Sequence, residues 1–211
     1  MLFNILSGPG DFLTNLILFL MVALALVICI SIHEFSHAYI ANFLGDPTAK
    51  SLGRVTLNPK AHLDPTGTLL LLVFGFGWGK PVPFDPRFLK HPKRDSALIA
   101  LAGPLSNILL AGFLALVFHG LGVGAFSLIG VILQLIVRYN LILAIFNLIP
   151  VHPLDGFKVV NGILSQNLSY QWLQMAPYGI WILLFLIFTG VTDSVIFPIL
   201  DFILDKVFGL I

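Results

Sequence analysis

Ser31-Ile32-His33-Glu34-Phe35-Ser36-His37 closes an apolar run, Phe12 to Ile30, that is broken only by Thr14 and Asn15. The stretch reads H-E-x-x-H. On a helix, side chains four apart lie on one face about one turn apart, so His33 and His37 can share one tetrahedral metal ion. A Glu beside the first His can take a proton from a water on that metal. Glu34 is the only glutamate among 211 residues, and it occupies that slot. Ionisable groups inside an apolar span are costly and usually functional.

Composition sets the class. Charged residues are 10% and hydrophobic residues 58% of the chain, against about 25% and 45–50% in soluble domains. Most of the chain must face lipid or other apolar helices, and its length suits one domain, residues 1–211. A net charge of +1 gives no reason to expect a nucleic-acid surface. The single Cys29 excludes an internal disulfide. It lies one turn before His33 and reads as a small core residue.

Working outward, Gly8-Pro9-Gly10-Asp11 suggests a turn before a helix, with Asp11 or Thr14 as cap. There is no basic segment ahead of the apolar run and no cleavage-like break after it, so a signal peptide is not expected. The helix should run from about Phe12 to Leu44, enough to cross a bilayer, and stop at Gly45-Asp46-Pro47. Lys50 to Asp64 reads as a polar loop with a short strand, Ser51 to Leu57. The next apolar stretch, 66–79, holds Gly67, Gly75, Gly77 and Gly79 and is too short to span as a helix. A re-entrant loop or hairpin shielded by protein is expected there.

Eight of the eleven Lys and Arg fall between Lys50 and Arg94: Lys50, Arg54, Lys60, Lys80, Arg87, Lys90, Lys93 and Arg94. By the positive-inside rule both basic loops are cytosolic. The first helix then runs inward, and its metal motif lies toward the cytosolic half. Asp95 to Phe118 returns outward. It contains Ala102-Gly103-Pro104-Leu105-Ser106-Asn107, whose Gly-Pro marks a kink or a close backbone contact, and whose small residues admit a neighbouring helix. Ser127 to Ile149 comes back in, carrying Arg138 near its middle, with Asp193 one candidate partner.

That helix ends in Asn147-Leu148-Ile149-Pro150-Val151-His152-Pro153-Leu154-Asp155-Gly156. Two prolines and a glycine forbid a regular helix, and irregular backbone at membrane depth is tolerated where it lines a polar cavity. This segment can meet the H-E-x-x-H helix. Asp155 or His152 could then supply a third metal ligand, and the residues alone favour Asp155 only slightly. Phe157 to Met175 should hold a helix followed by a polar turn, Ser165 to Gln171. Pro177 to Thr189 and Val195 to Phe208 form one broken span or a second hairpin. Trp172, Tyr178 and Trp181 suit an interface belt. The sum is an all-α polytopic bundle of about four to six transmembrane helices.

His33-Glu34-x-x-His37, Ala102-Gly103-Pro104-x-x-Asn107 and Asn147-x-x-Pro150-x-x-Pro153-Leu154-Asp155-Gly156 together resemble the site-2 protease family of intramembrane zinc metalloproteases. Gly77-Trp78-Gly79-Lys80-Pro81-Val82-Pro83 resembles a loop of its compact prokaryotic branch. The resemblance implies zinc held by His33, His37 and Asp155, with Glu34 as general base and Asn147 near the substrate carbonyl or its oxyanion. It further implies an integral protein of a prokaryotic plasma membrane. The implied activity is cleavage of transmembrane protein substrates within the lipid bilayer, with the site toward the cytosol. His152 departs from the family pattern, which more often has a small or apolar residue there. No stretch is long enough for a PDZ-like domain. Two other classes are open to such a chain: a membrane metal carrier, and an inactive relative that binds or assembles membrane proteins. The clustering of His33, Glu34, His37 and Asp155 at one depth argues against the carrier, and the intact Glu34 against the inactive relative.

Overall fold

The computed structural model describes Gly8, residues 10–74 and residues 77–210. The first helix, α1, covers Phe12–Phe43. Its cap is the expected one: the Asp11 carboxylate accepts a hydrogen bond from the Thr14 N–H at 3.1 Å, satisfying one orphan donor of the first turn. Gly45, at φ 107°, turns the chain away at the other end. Pro9, part of the expected leading turn, lies outside the described residues.

The expected strand at Ser51–Leu57 does not form. A single helical turn, Thr48–Ser51, is followed by Gly53 at φ 67°, and that left-handed step prevents an extended run. The chain instead swings inward and carries Arg54 into the protein, 5% exposed.

The short apolar stretch is re-entrant. Helix α2, Pro65–Phe74, is only ten residues long, about 15 Å at 1.5 Å per residue and half a bilayer core. Its two ends return to one place: Leu63 and Gly79 form an isolated antiparallel bridge, and the Lys80 N–H donates to the His62 carbonyl at 2.7 Å. Gly67 faces the returning backbone so closely that a Cβ there would overlap the Trp78 carbonyl. Gly75, counted in the same pattern, lies outside the described residues. The two basic loops flanking this hairpin are tied together. Asp46 accepts from the Thr48 N–H at 2.9 Å and the Asp85 N–H at 2.7 Å. The loops therefore share one face of the molecule.

Helix α3, Pro92–Gly120, passes through Pro104 without interruption. Ser127 caps α4, Leu128–Asn147, by accepting from the Gly130 N–H at 3.0 Å. Helix α5, Asp155–Ile163, follows the proline-rich segment, and α6, Gln166–Leu173, follows it closely. Ser165–Gln171 is thus the start of a helix and not the expected polar turn. Within that helix, Trp172 stacks on Phe157 at 5.0 Å and donates its indole N–H to the Phe157 carbonyl at 3.0 Å. These two contacts fold the segment onto α5. Helix α7, Gly179–Phe188, breaks at Gly190 (φ 74°) before α8, Val191–Phe202.

Among the described residues four helical runs are long and apolar enough to cross a bilayer: Phe12–Phe43, Pro92–Gly120, Leu128–Asn147 and Gln166–Phe188. Exposed Phe113, Leu116, Phe185 and Phe188 on their outer faces suit a lipid solvent. The protein is an all-helical integral membrane protein, as its composition leads one to expect. Helices α1, α3 and α4 pack mutually, and α8 closes onto them through a core of Ala111, Val137, Leu141, Leu200 and Leu204. Arg138 sits exposed on α4 and makes no ion pair with Asp193, or with any other carboxylate among the described residues.

Candidate metal centre

Two helices bring their side chains to one point. His33 and His37 project from α1, one turn apart, and Asp155 opens α5 across from them. His33 Nε2 lies 3.1 Å and His37 Nε2 3.2 Å from the same oxygen, Asp155 Oδ2. One ligand atom from each of the three residues lies within 4.8 Å of the others. All three side chains are largely withdrawn from solvent. Asp155 stands at the N-terminal end of α5, where a carboxylate is favoured by the aligned peptide dipoles.

Hydrogen bonds at the outer nitrogens fix both rings. His33 Nδ1 lies 2.6 Å from Asn107 Oδ1, and His37 Nδ1 lies 2.7 Å from the Ile99 carbonyl. A carbonyl oxygen only accepts, so His37 Nδ1 carries the proton. The same follows for His33, because the Asn107 amide is oriented by its own partners. Its NH2 donates to the Cys29 carbonyl at 3.1 Å and to Asn140 Oδ1 at 2.6 Å. Asn140 in turn donates to the Ile136 carbonyl at 2.7 Å. With both Nδ1 atoms protonated, the neutral rings turn their Nε2 lone pairs toward a carboxylate. Three acceptors cannot share that space without a cation between them. The donor set, two imidazoles and one carboxylate, is the kind zinc takes at sites that keep an open position. The residues fit the metal.

Glu34 does not join the triad. It lines the same cavity of about 540 Å³ and accepts a hydrogen bond from the Val82 N–H at 3.1 Å. Asn147, the last residue of α4, also lines that cavity, and its amide donates to the Leu143 carbonyl one turn back at 2.9 Å. His152 lies elsewhere. Its ring sits edge-to-face on Phe157 at 5.5 Å, and it is not among the three grouped ligands.

In the sequence, Gly103 and Asn107 have no role at the metal site beyond their place in a motif, yet both lie against its histidines. A Cβ built on Gly103 would come 2.6 Å from His33 Nε2 and 2.5 Å from His37 Nε2. Only glycine lets α3 pass the two rings at that depth. The signal available in the sequence was the cluster of small residues around Pro104 with an Asn one turn later.

The model of peptidase family M50 matches residues 21–129, which include both histidines, Glu34, Gly103 and Asn107. The chain belongs to peptidase family M50. This is the site-2 protease family that the motifs resembled. Among similar proteins, "Putative zinc metalloprotease YwhC" of Bacillus subtilis is 40% identical over 185 residues, 84% of either chain. Zinc metalloprotease MJ0392 of Methanocaldococcus jannaschii is 27% identical over 187 residues, which is 80% of this chain and 46% of that longer one. The Rip2 protein of Mycolicibacterium smegmatis is 23% identical over 193 residues, 89% of this chain and 74% of the relative. No solved structure matches the chain.

Proposed function

We propose that this M50 metalloendopeptidase is a single-domain intramembrane protease. It cuts peptide bonds in or near transmembrane segments of other membrane proteins. The observation that carries the reading is the triad geometry. His33 and His37 present Nε2 lone pairs to Asp155 at 3.1 and 3.2 Å, at the wall of a cavity that also holds Glu34. His33, His37 and Asp155 are the zinc ligands in this reading. Zinc bound there supplies Lewis-acid activation of a water and of the scissile carbonyl.

The protein's own groups do the rest. Glu34 takes the proton of the attacking water and later delivers one to the leaving amine, which needs a carboxylate free to face the cavity. The hydrogen bond from Val82 leaves its second oxygen for that task. Asn147 uses the amide hydrogen not bonded to Leu143 to donate to the developing oxyanion, where one donor is typically worth about 2.7–4 kcal/mol. A substrate helix must unwind locally, since its peptide groups are otherwise occupied by i→i−4 hydrogen bonds. The re-entrant hairpin beside the cavity offers backbone to such an unwound segment. The groups already committed are the Lys80 N–H and the carbonyls of Lys80 and Pro81, together with the Val82 N–H, so any strand addition must use neighbouring positions.

Both basic loops face the cytosol in this reading, and the membrane is the plasma membrane of a prokaryote. The deciding experiment compares membrane-protein fragments in cells making the native chain with those in cells making Glu34→Gln. Fragments present only with the native chain support the protease. Identical fragment sets would favour an inactive relative that binds or assembles membrane proteins.

A further inference from the structure

Arg54 is a buried cation bonded to the segment that follows the hairpin, and it belongs to none of the motifs above. Its guanidinium donates Nη2 to the Lys80 carbonyl at 2.5 Å and Nη1 to the Pro81 carbonyl at 3.1 Å. The next peptide group is the Val82 N–H, which donates to Glu34 Oε2 at 3.1 Å. Pro81 and Pro83 flank Val82, so Val82 supplies the only backbone N–H from residue 81 to residue 83. If the peptide plane between Pro81 and Val82 turns, Glu34 loses that donor, and neither neighbour can replace it.

The carbonyl held by Arg54 Nη1 and the N–H held by Glu34 belong to that same peptide plane. Its two polar groups are therefore pinned from opposite sides, by a guanidinium and by a carboxylate. Peptide planarity makes the two ends rigid with respect to each other. The flanking bonds, Lys80 N–H to the His62 carbonyl and Asp85 N–H to Asp46, hold the segment at either end but not the plane itself. Reaching two successive carbonyls is a task for a planar fork and not for a point charge.

We propose that Arg54 is a positioning residue for Glu34: it locks the Pro81–Val82 peptide so that the Val82 N–H fixes one carboxylate oxygen and aims the other at the cavity. The catalytic meaning of this rests on Glu34 being the general base, but the positioning itself can be measured without activity.

Glu34 is the only glutamate in the chain, so protein made with glutamate labelled in its side-chain carboxyl gives an infrared band from that group alone. The test uses full-length zinc-loaded protein in lipid. Arg54→Gln, which cannot span both carbonyls, is expected to shift and broaden the Glu34 carboxylate band toward that of an unbonded carboxylate. Val82→Pro, which deletes the donor itself, should reproduce the shift. Arg54→Lys should fall between native and Gln. Zinc content and helical circular dichroism should stay native in all three. On a reconstituted transmembrane substrate, kcat should fall about 10²-fold with KM nearly unchanged, the scale of a misplaced catalytic group. A Glu34 band unmoved in Arg54→Gln overturns the proposal, and so does a band that moves in Val82→Pro alone. If Arg54→Gln does not fold, the decision passes to Arg54→Lys, where a native band overturns the proposal and an intermediate one upholds it. Should the native chain cleave nothing, the protease reading fails while the band still decides what Arg54 does.

Discussion

Asn107 Oδ1 lies 2.6 Å from His33 Nδ1, across 74 residues of chain. The contact settles which nitrogen of His33 faces the metal centre. Replacing Asn107 with Ala removes the acceptor and lets the ring change tautomer or turn. Outer partners of this kind are worth about 10–100-fold in metal affinity. Chelator competition on purified Asn107→Ala should show zinc held that much more weakly, with the fold intact by circular dichroism. Native affinity would mean that Asn107 serves helix packing alone.

Gly103→Ala tests the same centre from the other side. The added methyl would sit 2.5–2.6 Å from both histidine Nε2 atoms, so α3 must back away or the rings must turn. The variant should reach the membrane and lose most of its zinc, as measured by metal analysis. A variant with native zinc content would show that α3 yields at little cost.

Ligand assignment divides the four candidates. Ala at His33, His37 or Asp155 should reduce zinc from about one per chain to near none. Ala at His152 should leave zinc in place, because that ring packs on Phe157. Retention in Asp155→Ala together with loss in His152→Ala would reverse the assignment.

Glu34→Gln separates holding the metal from using it. The amide keeps size and shape, so zinc content should be native. Proton transfer by a positioned side chain is worth about 10²–10⁴-fold, and cleavage of a reconstituted substrate should fall by that much. Asn147→Ala should fall less, because Glu34 and the ligand set are left whole. Native-rate cleavage by Glu34→Gln would remove the base from the mechanism.

Cysteines introduced at Lys60 and Lys90 should label from the same side of the membrane, since the hairpin between them returns to its starting face. Opposite-side labelling would exclude re-entry.

The helical period made much of this readable in advance. H-E-x-x-H fixes its own geometry, so His33 and His37 needed only the inference that the run is helical. Asp155 was harder, because its direction depends on seven irregular residues after α4, and the sequence alone could barely prefer it to His152. The structure groups Asp155 with the two histidines and sets the His152 ring against Phe157. Asn107 and Arg54 act through contacts 74 and 26–27 residues away, and no local pattern encodes such distances. The misplaced turn at Ser165–Gln171 has a different cause. A polar run of helix-compatible residues looks like a loop until Trp172 finds Phe157.

The bridge between Leu63 and Gly79 has an evolutionary consequence. Everything that supports Glu34 from this side, Arg54, Lys80, Pro81 and Val82, lies outside the span the bridge closes. The residues between the two anchors form an insert clipped at its base. Lengthening such an insert costs little, about 0.6 kcal/mol per doubling of a flexible loop. Selection can therefore vary the insert, of which Leu71 and Trp78 line the cavity, while the peptide that bonds to Glu34 stays outside it. Under the proposed function, the side chains that would meet a substrate and the peptide that holds Glu34 can then change separately.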